Sequence, residues 1–378
     1  MELPATPSSK LERDLAWLRS FTPATVRAAA SLPSLEGERI LTVCHLDLKM
    51  IPYFSALLDS GAEVWACAAN PATTRDEVAT YLGSSGVRVP ARAGDPPERH
   101  AAHLEAAIEA GPTLLSEMGA DATFATRGRL ESVRGGLEAT GTGIDRISGL
   151  DLSYPVFDWD GIPAKQGLHN RHLVGLMAAN TFLNVTGLSL YGETVLVIGY
   201  GPVGRGVSDA ARAFGAVVEV FDTDPSARLA AAHLGFATPA LDSGLARANV
   251  IFTATGRDGS IPFEAFGNCK SGVFLANVGH TSGELPVKEL RSHLVDAPLP
   301  HIERCEVDGK TIYLLAGGAM FNLAAGPGDP YNTFDLITAI MLEATRFLAT
   351  EGVDYPPGVH LLPKKVQDRA ARLYLGET

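Results

Sequence analysis

A glycine-rich segment between a predicted strand and a predicted helix constrains the fold of this 378-residue chain most. Residues 195–198 form a short apolar run rich in β-branched side chains, which is typical of a buried parallel strand. Three glycines follow with Gly-x-Gly-x-x-Gly spacing, namely Gly199, Gly201 and Gly204. A helical pattern then runs to Phe214, and a second apolar strand at 216–221 ends on Asp222. This order of strand, loop, helix, strand and acid predicts a dinucleotide-binding Rossmann domain.

The same segment indicates which dinucleotide it would bind. Its glycines permit a tight turn and a close approach of the backbone to a pyrophosphate, which would face the helix start at Pro202 and Val203. Asp222 can accept hydrogen bonds from the adenosine ribose, and its charge would repel a ribose phosphate, so NAD is favoured over NADP. The alternative is a Rossmann-like domain that no longer binds a nucleotide.

Composition narrows the class of protein. The 31 basic and 43 acidic residues give a net charge of −12, which disfavours binding to nucleic acid or to a membrane surface. No apolar run approaches the ~20 residues that span a bilayer. No metal-binding motif appears, and the cysteines lack paired spacing, so we expect a cytoplasmic protein with reduced, mostly buried thiols at Cys44, Cys67, Cys269 and Cys305.

Strands and helices alternate outside the glycine-rich segment as well. Residues 39–165 repeat this pattern without a phosphate loop, and a strand is expected at 87–89. We predict an α/β protein with two doubly wound domains. The predicted boundaries are a split substrate domain at 1–168 plus 329–352, an inserted NAD-binding domain at 172–326, and a C-terminal tail at 353–378.

Two histidines stand directly after predicted strands of different domains. His45 follows the first strand of the chain, and His280 follows a strand of the NAD-binding domain. Carboxyl ends of parallel strands face the active crevice, so these residues are candidates for general acid and general base. For either histidine alone, a helix cap or a satisfied loop position is the ordinary alternative.

The segment where the chain passes between the predicted domains is dense in ionisable groups. Lys165 lies close in sequence to Phe157 and Trp159, and it could act as a base on a hydroxyl that NAD oxidises. A solvated lysine is the alternative. His169 and Asn170 could orient the nicotinamide or the substrate, or could cap a helix.

Further polar positions are candidates for holding the cofactor. Thr140 and Thr142 lie in a hydroxyl-rich loop that could hydrogen-bond a nicotinamide or a ribose, although an ordinary turn is equally compatible. Strand ends in the NAD-binding domain supply the other expected contacts, at Thr255, Gly256, Asn277 and Gly279.

Taken together, these residues resemble the S-adenosyl-L-homocysteine hydrolase family over residues 43–365. The resemblance is most specific in five segments: 44–45, 163–170, 199–206, 277–280 and 358–365. It implies a split substrate domain and a Rossmann domain that holds NAD, with Asn322 contacting nucleoside or cofactor. It also implies a homodimer or homotetramer and a small-molecule nucleoside substrate.

The resemblance implies a redox-neutral reaction. NAD oxidises the ribose 3′-hydroxyl, the ketone acidifies the neighbouring C4′ proton, the 5′-thiolate leaves, water adds, and the alcohol is restored. Lys165 would then handle the hydroxyl proton, and His45 and His280 would serve the leaving group and water.

Several positions depart from the family pattern. The family has an aspartate, close to the ribose hydroxyls, where His169 stands, and a late histidine where Asp329 stands. Its double-aspartate loop becomes Ser116-Glu117, with Glu117 a possible substitute, and a threonine and a glutamate after the first histidine become Asp47 and Lys49. A shortened C-terminal tail is also expected.

Three functions therefore stay open. The first is a family enzyme that oxidises a nucleoside ribose and then eliminates, hydrolyses or epimerises at the adjacent carbons. The second is an ordinary adenosylhomocysteinase, and the third is a silent NAD-binding regulator.

Overall fold

The chain divides into two compact α/β units in the computed structural model, which describes residues 9–377. Unit 1 contains the described chain up to Lys165 and from Pro330 onward, and unit 2 is Gln166–Asp329. Residues 1–8 of the first predicted domain and residue 378 of the predicted tail lie outside the described residues.

The strands and helices alternate along much of the chain. The strands are β1 (Arg39–Cys44), β2 (Glu63–Ala68), β3 (Leu114–Glu117), β4 (Gly135–Glu138), β5 (Pro155–Asp158), β6 (Thr194–Ile198), β7 (Val217–Phe221), β8 (Val250–Thr253), β9 (Val273–Asn277), β10 (Leu294–Leu299), β11 (Ile302–Val307), β12 (Lys310–Leu315) and β13 (Gly358–Leu361). The α-helices are α1 (Lys10–Ser20), α2 (Pro23–Ala29), α3 (Ile51–Asp59), α4 (Asp76–Ser84), α5 (Pro97–Glu109), α6 (Asp121–Thr126), α7 (Gly141–Ile147), α8 (Gly175–Thr186), α9 (Pro202–Ala213), α10 (Pro225–His233), α11 (Leu241–Arg247), α12 (Val287–Ser292), α13 (Phe321–Ala324), α14 (Tyr331–Thr350) and α15 (Lys364–Leu375). A π-helix, Ala164–Val174, leads directly into α8.

Unit 1 is built on a six-stranded parallel sheet in the order β13-β5-β4-β3-β1-β2. The strand order reverses between β1 and β3, so the crevice outside the carboxyl ends of these two strands is the expected ligand position. The apolar face of α14 closes the core, with Ile340, Leu342 and Phe347 buried. The segment predicted as a tail contributes β13 and α15 to this unit.

One predicted strand of unit 1 is wrong. Residues 87–89 form only an isolated bridge, between Arg88 and Trp65, instead of a strand. The segment is short, and a single bridge to β2 is its only pairing in the described sheet.

Unit 2 contains a seven-stranded sheet in the order β10-β11-β12-β9-β8-β6-β7. The five strands from β12 to β7 are parallel, and β10 and β11 extend the sheet in antiparallel fashion. The reversal of strand order falls between β6 and β8. Two doubly wound α/β units confirm the predicted fold class.

Two other sequence predictions can be checked against the fold. All four cysteines are buried and none forms a disulfide, as predicted. Within residues 9–377, no helix combines the length and the apolar character that a membrane crossing requires.

Candidate functional site

The glycine loop of unit 2 joins β6 to α9 and has the geometry that a pyrophosphate needs. Gly199 has a φ of +96°, and a Cβ there would lie 2.7 Å from the carbonyl oxygen of Ala254. A Cβ on Gly204 would lie 1.8 Å from the carbonyl oxygen of Gly199. In contrast, a Cβ on Gly201 would meet nothing within 4 Å. The protein itself therefore requires the first and third glycines, whereas the second leaves space for a ligand beside the start of α9.

Asp222 follows β7, and its carboxylate is fixed by two backbone groups. One oxygen accepts the N–H of Tyr200 at 2.7 Å, and the other accepts the N–H of Asp224 at 2.8 Å. A carboxylate offers about four acceptor positions, so two contacts leave capacity for ribose hydroxyls. Asp222 thus ties the glycine loop to the second strand and carries the charge expected for NAD.

Asn322 supplies an independent indication of a ligand in unit 2. Its side chain is 2% exposed, and its Oδ1 has no hydrogen-bond partner among the described residues. An unpaired buried acceptor is costly and usually has an explanation. A hydroxyl or amide donor of a bound nucleotide would satisfy it, so the residues present fit NAD.

Glu284 organises the loops after β8 and β9, and sequence analysis missed it. It is fully buried, and its two oxygens accept the N–H groups of Thr255 at 3.0 Å and Gly256 at 2.8 Å. A Cβ on Gly279 would lie 1.5 Å from Oε1 of Glu284. Burial raises the pKa of Glu284, while the hydrogen bonds from Thr255 and Gly256 oppose that rise. The carboxylate therefore holds Thr255 and Gly256 together and leaves no space for a side chain at Gly279.

Asn277 holds the loop that carries His280. Its Nδ2 donates to the carbonyl oxygens of Thr281 at 2.8 Å and Gly318 at 3.0 Å, and its Oδ1 accepts the N–H of Gly279 at 2.9 Å. These contacts use most of the amide's capacity within the protein, which favours a positioning role. His280 follows this loop and is half-buried.

The π-helix carries Lys165, His169 and Asn170. A π-helix is rare and is often found at functional sites. A Cβ on Gly206 of α9 would lie 1.7 Å from the carbonyl oxygen of Arg171, so this helix packs backbone to backbone against the helix of the glycine loop. In unit 1, the Lys165 Nζ lies 5.7 Å from the centroid of the buried Trp159 ring.

His169 is paired with a residue that sequence analysis named only as a departure from the family. Its Nε2 lies 2.8 Å from Oδ2 of Asp329, and its Nδ1 lies 3.0 Å from Oδ1 of Asn170. All three residues are buried. A partner 160 residues away gives no local sequence signal.

In unit 1, His45 lies at the carboxyl end of β1. Its Nδ1 lies 2.7 Å from Oγ1 of Thr73, and the residue is half-buried. Next to it, the buried Lys49 forms an ion pair with Asp47 at 2.6 Å, and its Nζ lies 5.7 Å from the ring centroid of Phe334.

Glu117 and Glu138 lie opposite each other at the ends of β3 and β4. Glu117 accepts the N–H groups of Ala122 and Thr123 at the start of α6. Glu138 accepts the N–H groups of the loop before α6 and those of Thr140. Burial raises the pKa of Glu117 to about 7. Burial, and to a lesser extent the charge of Glu117, raises the pKa of Glu138 to about 8.

The structure thus groups the predicted residues within each unit. Thr140 hydrogen-bonds Glu138 and caps α7, with Thr142 half-buried in the first turn of that helix. Sequence analysis missed Glu284 and the contact between Asp329 and His169. Among residues 9–377, no group of three or more His, Cys, Asp or Glu side chains could hold a metal ion.

A two-unit α/β protein with a nucleotide-binding Rossmann unit is the class that this fold and site define. Residues 178–328 match the model of the NAD-binding domain of S-adenosyl-L-homocysteine hydrolase. An S-inosyl-L-homocysteine hydrolase from Methanopyrus kandleri is 33% identical, over 90% of this chain and 83% of that protein. Adenosylhomocysteinases from Thermococcus kodakarensis and Thermotoga maritima are each 30% identical over 96% of this chain, and the matches cover 90% and 94% of those proteins.

By these matches, the chain belongs to the S-adenosyl-L-homocysteine hydrolase family. The matched segment lies within unit 2, so NAD is the cofactor of that unit.

Proposed function

We propose that this protein hydrolyses an S-nucleosyl-L-homocysteine to a nucleoside and homocysteine by transient oxidation of a ribose hydroxyl. One packing feature carries the proposal: the helix that contains Lys165, His169 and Asn170 lies against the helix of the NAD loop, at the contact of Arg171 with Gly206. A base and two polar side chains on that helix are the groups that sugar oxidation requires.

Each candidate residue has a role in this scheme. Bound NAD supplies the oxidation of the sugar hydroxyl and its final reduction. Lys165 accepts the hydroxyl proton and returns it at the end. His45 and His280 protonate the leaving thiolate and activate the water that replaces it. Unit 1 forms the substrate domain, and unit 2 holds the cofactor through Asp222, Asn322 and the glycine loop.

Two substrates follow from the relatives' names. One similar protein is named for S-inosyl-L-homocysteine and others for the S-adenosyl compound. The buried Lys49–Asp47 pair differs from the residue types that the resemblance implies after the first histidine, so the base has to be determined by assay.

The decisive assay supplies each S-nucleosyl-L-homocysteine to the NAD-loaded protein and measures both the nucleoside and the free thiol. Equal amounts of the two products are expected from at least one substrate. NADH absorbance during turnover would report the oxidised intermediate stage. If neither compound yields thiol above the uncatalysed rate and no NADH absorbance forms, the regulator replaces this proposal.

A further inference from the structure

The hydrogen bond between His169 and Asp329 connects the two ends of unit 2. The chain enters this unit at Gln166 and leaves it at Asp329. The side chains of His169 and Asp329 are 9% and 7% exposed, so the 2.8 Å contact between Nε2 and Oδ2 is shielded from water. Shielding strengthens a charge-assisted hydrogen bond and makes the loss of one partner costly.

The second ring nitrogen extends this contact to Asn170. A carboxylate can only accept, and the Oδ1 atom of an amide also accepts. Both ring nitrogens of His169 therefore have a partner within unit 2, so the ring cannot turn without losing a contact. The contact with Nδ1 in turn orients the side-chain amide of Asn170.

We propose that Asp329 is a positioning residue that acts through His169 to fix the side chain of Asn170 in the orientation that binding of NAD or the substrate requires. Positions 169 and 329 then work as one unit. The effect on turnover rests on the proposed function, whereas the effect on NAD binding does not.

The test is a double-mutant cycle on the full-length protein with H169D, D329H and the reciprocal double variant. Each single variant places like groups together and is expected to weaken NAD binding or lower kcat by about tenfold or more. The double variant is expected to recover to within about threefold of the wild type. D329N, which keeps the size and one acceptor oxygen, gives a milder loss in the same direction and serves if the other single variants fail to fold.

A second cycle combines D329N with N170A. If Asp329 acts through Asn170, D329N causes no further loss once Asn170 is replaced. Asp335→Asn is the matched control, since Asp335 is an equally buried carboxylate that binds the start of α2 in unit 1. This control is expected to lower the melting temperature without changing the NAD dissociation constant.

Two results would overturn the inference. Losses that multiply in the reciprocal double variant would show that positions 169 and 329 act independently. A lower melting temperature with unchanged NAD affinity and kcat would show that the pair is only structural. If the wild type hydrolyses neither substrate, the proposed function fails, while the NAD dissociation constants still decide this inference.

Discussion

Asp222 stabilises the glycine loop, and we propose that it also binds the cofactor. It accepts two backbone N–H groups and also lies where the ribose of NAD is expected. We predict that Asp222→Ala weakens NAD binding by about 1–3 kcal/mol, through loss of a charged acceptor. Calorimetric titration with NAD measures this loss. Asp224→Ala is the control, because Asp224 caps α10 through Ser226 and should affect stability alone. Equal NAD affinities of the two variants would contradict the assignment.

Lys165 is the residue on which the chemical step depends in our proposal. Lys165→Met keeps most of the length of the side chain but removes the amine, whose Nζ lies 5.7 Å from the centroid of the Trp159 ring. We expect turnover to disappear while NAD remains bound, measured by product release and by cofactor content. Lys365→Met is the control, because Lys365 is an exposed lysine of unit 1 that also lies close to an aromatic ring. Its Nζ is 5.3 Å from the centroid of the Phe347 ring. Residual turnover near the wild-type level in K165M would reject the role of Lys165.

At the scale of elements, α9 meets the π-helix through a glycine. A Cβ on Gly206 would lie 1.7 Å from the Arg171 carbonyl oxygen, so Gly206→Ala must push the two helices apart. We expect a loss of about 1–3 kcal/mol in the free energy of unfolding, as for other overpacked sites. Gly201→Ala should leave the free energy of unfolding unchanged, since its Cβ would meet no protein atom within 4 Å. It should instead weaken NAD binding, because the Cβ would occupy the space left for the ligand. Urea unfolding and NAD titration of both variants separate the two effects, and identical behaviour would refute them.

The ends of β3 and β4 make stability depend on pH. The pKa values of Glu117 and Glu138 rise from 4.5 to about 7 and about 8 in the folded chain, which then binds more protons than the unfolded chain. The protonated carboxyl groups therefore stabilise the folded chain at low pH, and the free energy of unfolding falls as pH rises from about 5 to about 8. Glu117→Gln removes one titrating carboxyl group and the charge that raises the pKa of Glu138. The free energy of unfolding of E117Q should therefore fall less with rising pH than that of the wild type, and the difference between the two should narrow.

Urea unfolding across this pH range measures that difference. Glu105→Gln is the control, because Arg129 lowers the pKa of the exposed Glu105 and its titration lies below the window. Parallel curves for the wild type and E117Q would contradict the assigned coupling between the two carboxyl groups.

The sequence predicted elements whose signal is local. The apolar run of β6, the glycine spacing and the helical pattern of α9 lie within one stretch of chain, and they were correctly located. In contrast, β4 contains two glycines and β13 has only four residues, so neither has a strong pattern of its own; each is defined by its neighbours in the sheet. The His169–Asp329 contact depends on the whole unit bringing distant residues together, which composition and spacing do not encode.

At the scale of the whole molecule, the two units repeat one arrangement of candidate residues. In each unit, candidate residues follow the carboxyl ends of strands beside the reversal of strand order, with His45 and Glu117 in unit 1 and the glycine loop and Thr255 in unit 2. Doubly wound sheets bind ligands at these edges. Within the part of the chain that the structure describes, the glycine loop occurs in unit 2 alone; NAD belongs to that unit, and we propose unit 1 as the substrate domain.

Hydrogen–deuterium exchange of the full-length protein tests this division of tasks. Saturating NAD should slow exchange in the loops of unit 2 around residues 199–204, 255–256 and 279–280, because a ligand that binds only the native state suppresses local opening. Adding a nucleoside product to the NAD-bound protein should then slow exchange after β1 and β3 in unit 1. The edge strand β10, exposed along its whole length, provides an internal control that neither ligand should affect. Protection of unit 1 loops by NAD alone, with unit 2 unchanged, would reverse the assignment of cofactor and substrate.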